Sequence, residues 1–554
     1  MTTPPQHSIV CAALTFGWPD GSPVFTGLDF TAGTGRTALI GDNGSGKSTL
    51  LKLIAGLLTP TGGSITVAGE LAYLPQELPL QLHRTVDDLL GIARVRAALR
   101  AIEGGDAADA HFAAVGDAWD VEERARATLD RLGLPHVELD RPVATLSGGE
   151  SMLVGFAGKL LSEPTVLLLD EPTNNLDLGA RRSLYRAVAD FSGALLLVSH
   201  DRELLDQVDQ TAELREGRVR MYGGGFAVYE EAVAGETDVA ERALRTAQSD
   251  LRKQKRELIE AQIKIDRRAS NGRKMQLSGS IPKIVAGGLK RKAEVSAGKL
   301  RGAHETEIAE AEAARADAEL AIRDETVIRL DLPHTRVPNG RTVLEVEDLA
   351  HAYLPAPVTF DVRGPERIAL TGGNGAGKTT LMRLLTGTLR PEGGAIRHNV
   401  PGVHYLPQRL ELLDDEASAL DNVRRFAPAM TDHDARARLA ALGFRNNRAQ
   451  RRSGVRNTRA EQEVKTLSGG ERLRVALAAV LSAEPAPQLL MLDEPTNNLD
   501  MTSVRQLEQA LLSYQGALIV VSHDLPFLRA IGIDRWLRLE KGEEPGLTSS
   551  VEEP

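Results

Sequence analysis

Short, unbroken runs of apolar residues recur in matching pairs along this chain. Val166–Asp170 reads VLLLD and Leu489–Asp493 reads LLMLD, while Leu195–His200 reads LLLVSH and Leu518–His523 reads LIVVSH. Runs this short, each ending in a charged or polar residue, are typical of strands buried on both faces of a parallel sheet. Helix-forming stretches separate them, so the pattern predicts an α/β fold that is built twice.

A different pattern fills the middle of the chain. From Phe226 to about Ala269 there is no proline and little glycine, which predicts one long helix reaching roughly 60 Å at 1.5 Å per residue. Residues 270–288 contain glycines, serines and Pro282 and predict a break. A second helix is predicted from Leu289 to about Asp324, so the segment should form an antiparallel helical hairpin.

A glycine-rich segment opens each half of the chain. Gly41–Ser48 reads GDNGSGKS and Gly372–Thr379 reads GGNGAGKT, the P-loop pattern. Its backbone N–H groups surround phosphates at a helix N-terminus, and its lysine, Lys47 or Lys378, reaches the outer phosphates. The final hydroxyl residue of each segment supplies a ligand to Mg²⁺.

Charged residues at the ends of the apolar runs complete the chemistry of hydrolysis. Asp170 and Asp493 place a carboxylate at the carboxyl edge of each sheet, beside the magnesium. The next residue in each half is a glutamate suited to polarise the attacking water, and each second run ends in a histidine that can contact the γ-phosphate. The predicted catalytic residues are Glu171, Glu494, His200 and His523.

Composition excludes several classes of protein. The chain has 554 residues, 42% of them apolar, and one cysteine, Cys11, so disulfide frameworks and cysteine-rich metal modules are excluded within it. No segment is apolar enough to span a membrane and the start lacks a signal region, so we expect a cytoplasmic protein. The net charge of −10 conceals a basic linker, because residues 250–301 hold 15 Lys and Arg against 5 Asp and Glu. We expect an anionic partner for it.

Five motifs in one order, each present twice, resemble the ATP-binding cassette superfamily: the P-loop, YLPQ, LSGGE, DEPTNNLD and SHD. The resemblance implies two P-loop cassettes packed head to tail, with Ser147 facing the ATP held by Lys378 and Ser468 facing the ATP held by Lys47. It also implies that Trp18 and Tyr353 stack on adenine, and that a glutamine of each YLPQ approaches the magnesium.

The resemblance implies that the ATP-binding and Mg²⁺-binding residues of the family have counterparts at the following positions of this sequence. The residues expected to bind ATP are Trp18, Gly41, Asn43, Gly44, Ser45, Gly46, Lys47, Ser48, Thr49, Gln76, Ser147, Gly148, Gly149, Tyr353, Gly372, Asn374, Gly375, Ala376, Gly377, Lys378, Thr379, Thr380, Gln408, Ser468, Gly469 and Gly470. Those expected at the magnesium are Ser48, Gln76, Asp170, Thr379, Gln408 and Asp493.

Four features of the chain resemble the ABC-F group of translation factors: two cassettes without membrane spans, the ending EPTNNLD, YGGGF before the linker, and a long basic linker. That resemblance implies a monomer that binds the ribosome in its tRNA exit site and points the hairpin toward the peptidyl-tRNA. The expected domains are cassette 1 (1–230), the hairpin linker (231–342), cassette 2 (343–545) and a disordered acidic tail (546–554). The expected RNA contacts are Arg267, Arg268, Arg273, Lys274, Lys283, Lys290, Arg291 and Lys292.

Other functions compete with this interpretation. An ATPase subunit that energises a separate membrane transporter is the main alternative, although a basic hairpin has no evident task there. A DNA-repair or ribosome-recycling ATPase would need cysteine modules that are absent, and a chromosome-organising ATPase a much longer coiled coil. A scaffold that only binds ATP would not need the catalytic glutamates and histidines. Within the ABC-F group, a general translation factor and an antibiotic-resistance protein both stay open.

The two cassettes also differ in ways that predict unequal sites. The second signature reads LSGGERLR but the first reads LSGGESML, which lacks the arginine equivalent to Arg474. We therefore expect two competent sites, with slower hydrolysis at the site formed by Ser147 and Lys378. A second basic cluster precedes the second signature and is a further candidate RNA contact: Arg445, Arg448, Arg451, Arg452, Arg456 and Arg459.

Overall fold

The strands occupy matching positions in the two halves of the chain. The computed structural model describes residues 9–76, 84–277, 302, 306–319, 330–444, 458–541 and 546–550. The strands of the first half are β1 (Ile9–Gly17), β2 (Pro23–Ala32), β3 (Gly35–Ile40), β4 (Gly62–Val67), β5 (Leu71–Leu74), β6 (Val166–Asp170), β7 (Ala194–Val198), β8 (Gln210–Arg215) and β9 (Arg218–Gly223). Those of the second half are β10 (Thr342–Ala350), β11 (Val358–Arg363), β12 (Arg367–Thr371), β13 (Gly393–His398), β14 (Val403–Leu406), β15 (Leu489–Asp493), β16 (Ala517–Val521), β17 (Arg535–Glu540) and β18 (Gly546–Ser550).

Each half contains one large, mainly parallel sheet and one small antiparallel sheet. The large sheets have the orders β5-β6-β7-β3-β8-β9 and β14-β15-β16-β12-β17-β18, in which only the last pair of each is antiparallel. The small sheets have the orders β2-β1-β4 and β11-β10-β13. The same topology therefore appears twice, which confirms the predicted α/β fold with two P-loop cassettes.

The predicted apolar runs are the central strands. All residues of β6, β7, β15 and β16 are buried, because helices and the small sheet cover both faces of the large sheet. β6 pairs with β7 in parallel up to Asp170, opposite Val198, and β15 pairs with β16 up to Asp493, opposite Val521. Both aspartates therefore lie at the carboxyl edge of a sheet.

Helices lie between the strands in both halves. Those of the first half are Lys47–Ile54, Val86–Leu90, Ala93–Glu103, Asp109–Val115, Val121–Arg131, Gly148–Leu161, Leu178–Asp190 and Arg202–Leu205. Those of the second half are Lys378–Leu385, Ala419–Phe426, Asp432–Ala441, Gly469–Leu481, Met501–Leu512 and Leu525–Ala530. By packing, Met1–Phe226 and Thr326–Pro554 form one compact unit and Ala227–Glu325 forms another.

The first helix of the linker is longer than the sequence predicts. It spans 52 residues, Phe226–Leu277, and continues through residues 270–277, where we predicted the break. A lone glycine costs a helix only about 1 kcal/mol, and the residues after Gly272 are good helix formers, so this composition does not end it. Residues 306–319 are helical too, and Lys255 pairs with Glu312 at 2.9 Å between the two helices. The predicted turn lies outside the described residues.

The end of the chain corrects a second expectation. We expected 546–554 to be disordered, but Gly546–Ser550 forms β18 and pairs with β17 in antiparallel register, with Trp536 opposite Ser550. The open edge of β17 offers unpaired backbone groups, and the sequence GLTSS contains no charge that would oppose pairing. In the part of the chain that the structure describes, no helix has the length and apolarity needed to cross a bilayer.

Candidate active sites

A glycine in a left-handed conformation joins each P-loop to the helix that follows it. Gly46 and Gly377 have φ angles of 102° and 104°, in the left-handed region that favours glycine. A Cβ at Gly46 would meet the Phe25 ring at 2.8 Å, and one at Gly377 would meet the carbonyl of Tyr353 at 2.7 Å. Any other residue would therefore be strained and would force the loop or its neighbours to shift.

The two P-loop lysines fold back onto their own loops. Lys47 Nζ donates to the carbonyl oxygens of Gly41 and Asp42 at 2.6 and 3.0 Å. Lys378 Nζ does the same to Gly372 and Gly373, at 2.7 and 3.0 Å. Both ammonium groups are buried, and desolvation lowers the pKa of each below its ordinary value. A nucleotide phosphate would supply the counter-charge that these buried cations need.

The residues at the carboxyl edge of the first sheet fit a magnesium ion. Ser48 Oγ donates to the Asp170 carboxylate at 3.0 Å, and the hydroxyl of Tyr73 donates to the same group at 3.2 Å. In the second cassette Tyr405 donates to Asp493 at 3.0 Å. Oxygen ligands of this kind suit Mg²⁺. The two tyrosines were not predicted, although each opens a YLPQ motif whose glutamine was.

The catalytic glutamates follow their strands in a strained conformation. Glu171 and Glu494 have φ angles of 49° and 47°, which side chains other than glycine rarely adopt. Burial, by disfavouring the charged form, raises the pKa of Glu171 to about 8 and that of Glu494 to about 7. A carboxylate with a pKa in this range is suited to take a proton from water near neutral pH.

A histidine accompanies each glutamate. His200 Nε2 lies 3.2 Å from Glu171 Oε1, and His523 Nε2 lies 3.4 Å from Glu494 Oε1. Burial lowers the pKa of both imidazoles, so they are neutral at physiological pH. Nδ1 of each histidine is buried and has no hydrogen-bond partner in the described part of the chain. The rings therefore keep hydrogen-bonding capacity for a ligand.

The two cassettes contact each other reciprocally at the P-loops. The backbone N–H of Asn43 donates to Asp500 at 2.9 Å, and that of Asn374 donates to Asp177 at 3.1 Å. The side-chain amide of each asparagine donates to the carbonyl of Asn498 or Asn175 in the opposite NNLD motif. The NNLD motif is visible in the sequence but its contacts are not, because the partner of each aspartate lies in the other cassette.

The larger of the two candidate ATP cavities is lined by the signature of the first cassette and the P-loop of the second. Ser147 and Gly148 line a cavity of about 610 Å³ together with Lys378, Glu494 and His523. Ser147 is also the N-cap of the helix Gly148–Leu161, where its hydroxyl accepts from the backbone of Glu150. The positive end of that helix therefore points into the cavity.

The smaller cavity is formed mainly by the first cassette. Lys47, Gln76, Glu171 and His200 line about 340 Å³, and among the described residues Asn498 is the one lining residue from the second cassette. Ser468 caps its own helix as Ser147 does, but the described residues that line this cavity do not include it. The structure thus brings the predicted signature residues to the Lys378 site and not into the Lys47 cavity.

The predicted adenine-stacking rings are accessible. Trp18 is 43% exposed at the Lys47 cavity, and its ring meets that of Phe16 edge to face at 5.3 Å. Tyr353 is 70% exposed at the Lys378 cavity. An exposed aromatic face at each cavity leaves room for a stacked base.

The predicted RNA contacts fall largely outside the described residues. Arg267 is exposed on the helix Phe226–Leu277. Outside the described side chains lie Arg268, Arg273, Lys274, Lys283, Lys290, Arg291 and Lys292. In the second basic cluster, five arginines lie outside the described residues, and Arg459 pairs with Glu471 of the signature at 2.8 Å. That contact makes Arg459 part of the cassette's own structure rather than a free basic group.

Arg474, which has no equivalent in the first signature, stays within its own cassette. Its Nη1 donates to the side-chain oxygen of Gln506 at 2.8 Å. Leu153 occupies the matching position in the first signature helix and is buried. The two signature helices are therefore anchored differently, one by a polar contact and one by apolar packing.

Comparison with known proteins places these sites in context. The family model described as ABC transporter matches residues 25–174 and 356–497. The tylosin resistance ATP-binding protein TlrC of Streptomyces fradiae is 34% identical over 519 residues, covering 88% of this chain and 89% of the relative. The energy-dependent translational throttle protein EttA of Mycobacterium tuberculosis H37Rv is 30% identical over 534 residues, covering 90% and 86%.

A third relative and a solved structure agree with these. The probable ATP-binding protein YheS of Escherichia coli K12 is 30% identical over 532 residues, covering 92% of this chain and 75% of the relative. The archaeal ribosome recycling factor aABCE1, solved in complex with the ribosomal stalk protein aP1, superposes with a TM-score of 0.58 at 19% identity, over 97% of this chain and 89% of that one. An identity this low supports the fold alone.

Proposed function

Because this chain belongs to the ATP-binding cassette family, in its ABC-F branch, and is an ATPase, we propose that it acts on the ribosome as a translation factor. In this proposal one chain works as a monomer in the cytoplasm and closes its cassettes around two ATP molecules. Closure fixes the linker near the peptidyl-tRNA in the tRNA exit site. Hydrolysis then opens the cassettes and releases the ribosome.

The nucleotide chemistry follows from the two cavities. Lys47 and Lys378 bind the outer phosphates, and each glutamate takes a proton from the water that attacks the γ-phosphate while the neighbouring histidine holds that phosphate. Mg²⁺, held by Ser48 with Asp170 and by Thr379 with Asp493, and approached by Gln76 and Gln408, would neutralise phosphate charge. The Ser147 helix adds its N-terminus at the Lys378 site.

The observation that carries the ribosomal assignment is the long linker helix. Its 52 residues reach roughly 80 Å at 1.5 Å per residue, and the segment 250–301 has 15 basic residues against 5 acidic ones. The helix as a whole has 11 Lys and Arg against 9 Asp and Glu, but 9 of the basic residues lie within 250–277, toward its end. A stiff helix with a basic end can enter a crowded RNA cavity and neutralise phosphates without reading sequence. One relative is an energy-dependent translational throttle protein, which supports the same assignment.

Ribosome co-sedimentation tests the proposal. The variant carrying both E171Q and E494Q should bind ATP without hydrolysing it, and so should remain in the closed form. We expect it to pellet with ribosomes in ATP but not in ADP, and to pellet less as salt rises, because phosphate contacts release counterions. A variant with K47A and K378A as well serves as the matched control that cannot hold the phosphates.

The outcomes separate the candidate functions. Pelleting that requires ATP and weakens with salt supports a translation factor. Equal recovery in ATP, ADP and the lysine control would refute ribosome binding driven by closure, and would favour a subunit of a membrane transporter.

A role in antibiotic resistance is a second candidate, because a relative with 34% identity is a tylosin resistance protein. In this version the linker displaces a drug bound to the ribosome. Expression in a tylosin-sensitive host should raise the inhibitory concentration of tylosin, and the E171Q, E494Q form should not. An unchanged inhibitory concentration would leave the translation factor as the better assignment.

A further inference from the structure

Arg181 is a largely buried cation of the first cassette that contacts the second. It lies in the helix Leu178–Asp190, and its side chain is 13% exposed. Its Nη1 donates to the backbone carbonyl of His523 at 3.1 Å and to the Asp201 carboxylate at 3.2 Å, and its Nε donates to the carbonyl of Leu176 at 3.3 Å. One guanidinium therefore joins acceptors from both cassettes.

The contact falls at one ATP site only. His523 belongs to the Lys378 cavity, where its imidazole lies 3.4 Å from Glu494. Arg181 lines the same cavity. The hydrogen bond from Arg181 fixes the backbone of His523. Because the imidazole is attached to that backbone, the hydrogen bond also restricts the position of the imidazole.

The guanidinium is itself held in orientation. Asp201 accepts from Arg181 and also from the hydroxyl of Tyr185 at 2.6 Å, and its side chain is 5% exposed. Beside this group, Arg202 of the first cassette pairs with Glu508 of the second at 2.9 Å. A charge buried with fixed partners is costly to misplace, so the arrangement defines the position of Arg181.

The residue that matches Arg181 in the other cassette is a valine. In the second cassette, Val504 occupies the position that matches Arg181, counted from Asp500 and Asp177, and its side chain lies in the apolar core. A valine has no hydrogen-bond donor to offer the backbone of His200. The two sites therefore differ in how their histidine is held as well as in their signatures.

We infer that Arg181 is a positioning residue for ATP hydrolysis at the Lys378 site: it holds His523 in place beside Glu494 only while the cassettes are closed. The Lys47 site has no such dependence. This inference rests on the ATPase activity of the chain and is independent of the proposed action on ribosomes.

Single-turnover hydrolysis of ATP by the full chain tests it site by site. E171Q leaves the Lys378 site working, and E494Q leaves the Lys47 site working. R181V, which copies Val504, is placed in each background beside R181K. The matched control is R186V, since Arg186 is exposed on the same helix and donates hydrogen bonds to Arg182 and Ser183 within that helix.

In the E171Q background R181V should slow hydrolysis about tenfold, the effect of losing one charge-assisted hydrogen bond. In the E494Q background the fall should stay under about twofold, and ATP affinity from a fluorescent analogue should change less than about twofold in both. R181K should recover part of the rate because its ammonium can reach the same carbonyl. Equal losses in both backgrounds would indicate a structural role, and no loss in E171Q would also overturn the inference.

Discussion

Asn43 and Asp500 lie 457 positions apart in the chain and in different cassettes, yet the backbone N–H of Asn43 donates to the Asp500 carboxylate at 2.9 Å. The other oxygen of the same carboxylate accepts from the backbone of Ser503 at 2.8 Å and caps the helix Met501–Leu512. Asp177 does the same for Asn374 and for its own helix. Each aspartate thus fixes a helix start and the opposing P-loop at once.

Replacing Asp500 by asparagine should weaken closure without unfolding the helix. The amide oxygen can still cap Met501–Leu512, but the charge that attracts the P-loop is lost, which costs about 1–2 kcal/mol. Fluorescence transfer between dyes on the two cassettes should then require about tenfold more ATP for half-maximal closure. D500A, which also removes the cap, should lower the melting temperature as well. Unchanged closure in D500N would show that this contact does not couple the cassettes.

The same contact predicts how closure depends on pH. Burial raises the pKa of Asp500, but hydrogen bonds from the backbone of Asn43 and from Ser503 outweigh it and hold the pKa below its ordinary value of 3.8. Because the pKa of Asp500 is lowered in the closed form, its contribution to closure is complete above the ordinary pKa of 3.8. The contribution is lost only as the pH falls through the lowered pKa. Titration of Asp500 should therefore leave the extent of closure in ATP constant from neutral to mildly acidic pH. D500N should show an equally flat dependence of closure on pH, at a lower extent of closure.

Single substitutions of the catalytic glutamates should give unequal residual activities. In E171Q only the site formed by Lys378 and Ser147 can hydrolyse ATP, and the signature of this site has Leu153 where the other signature has Arg474. We expect slower hydrolysis in E171Q than in E494Q. Quenched-flow measurement of one turnover distinguishes the two sites, because later turnovers mix hydrolysis with release. Equal rates would mean that the contact of Arg474 with Gln506 has no effect on hydrolysis.

Trp18 should contribute to ATP affinity through stacking. Base–aromatic stacking contributes about 1–3 kcal/mol per base, so W18A should weaken ATP binding at the Lys47 site about tenfold, whereas W18F should weaken it less. Equilibrium binding in a background with E171Q and K378A measures this, because E171Q stops hydrolysis at the Lys47 site and K378A weakens binding at the other site. Y353A is the matching change at the other site, and equal affinity of W18A and the parent would place adenine elsewhere.

Removing Ser48 Oγ should raise the requirement for magnesium. Ser48 donates to Asp170 at 3.0 Å, and S48A removes one oxygen ligand while keeping the helix that follows. Half-maximal single-turnover hydrolysis in E494Q should then need about tenfold more Mg²⁺, since losing a ligand or its support typically costs 10- to 100-fold in metal affinity. T379A, the matching change at the site that E494Q has disabled, is the control. EDTA should abolish hydrolysis in all of them.

The sequence predicts what local patterns determine. The four apolar runs could only be buried strands, and the glycine pattern of each P-loop fixes a turn that other residues cannot adopt, so the fold and most cavity residues were predictable. The extent of the linker helix was not, because one glycine is too weak to end a helix among strong helix formers. β18 was missed because the acidic residues around GLTSS suggested disorder, while the open edge of β17 decided its structure.

Contacts between the cassettes were the other part that the sequence could not supply. Arg181 and His523 are 342 positions apart, and nothing near Arg181 indicates which carbonyl will lie within reach after folding. The roles of Asp177 and Asp500 were visible only as letters of a repeated motif. In each case the missing information is the orientation of one domain against the other, which no local pattern encodes.

The double use of Asp177 and Asp500 makes the two ATP affinities depend on each other. When a nucleotide orders one P-loop, that P-loop fixes the aspartate of the other cassette, Asp177 or Asp500. The same aspartate caps the helix that follows the catalytic glutamate of its own cassette. Thermodynamic linkage then requires that each ATP raise the affinity for the other by the same factor. Binding should therefore be cooperative, and a partly saturated population should consist mainly of molecules holding either no ATP or two.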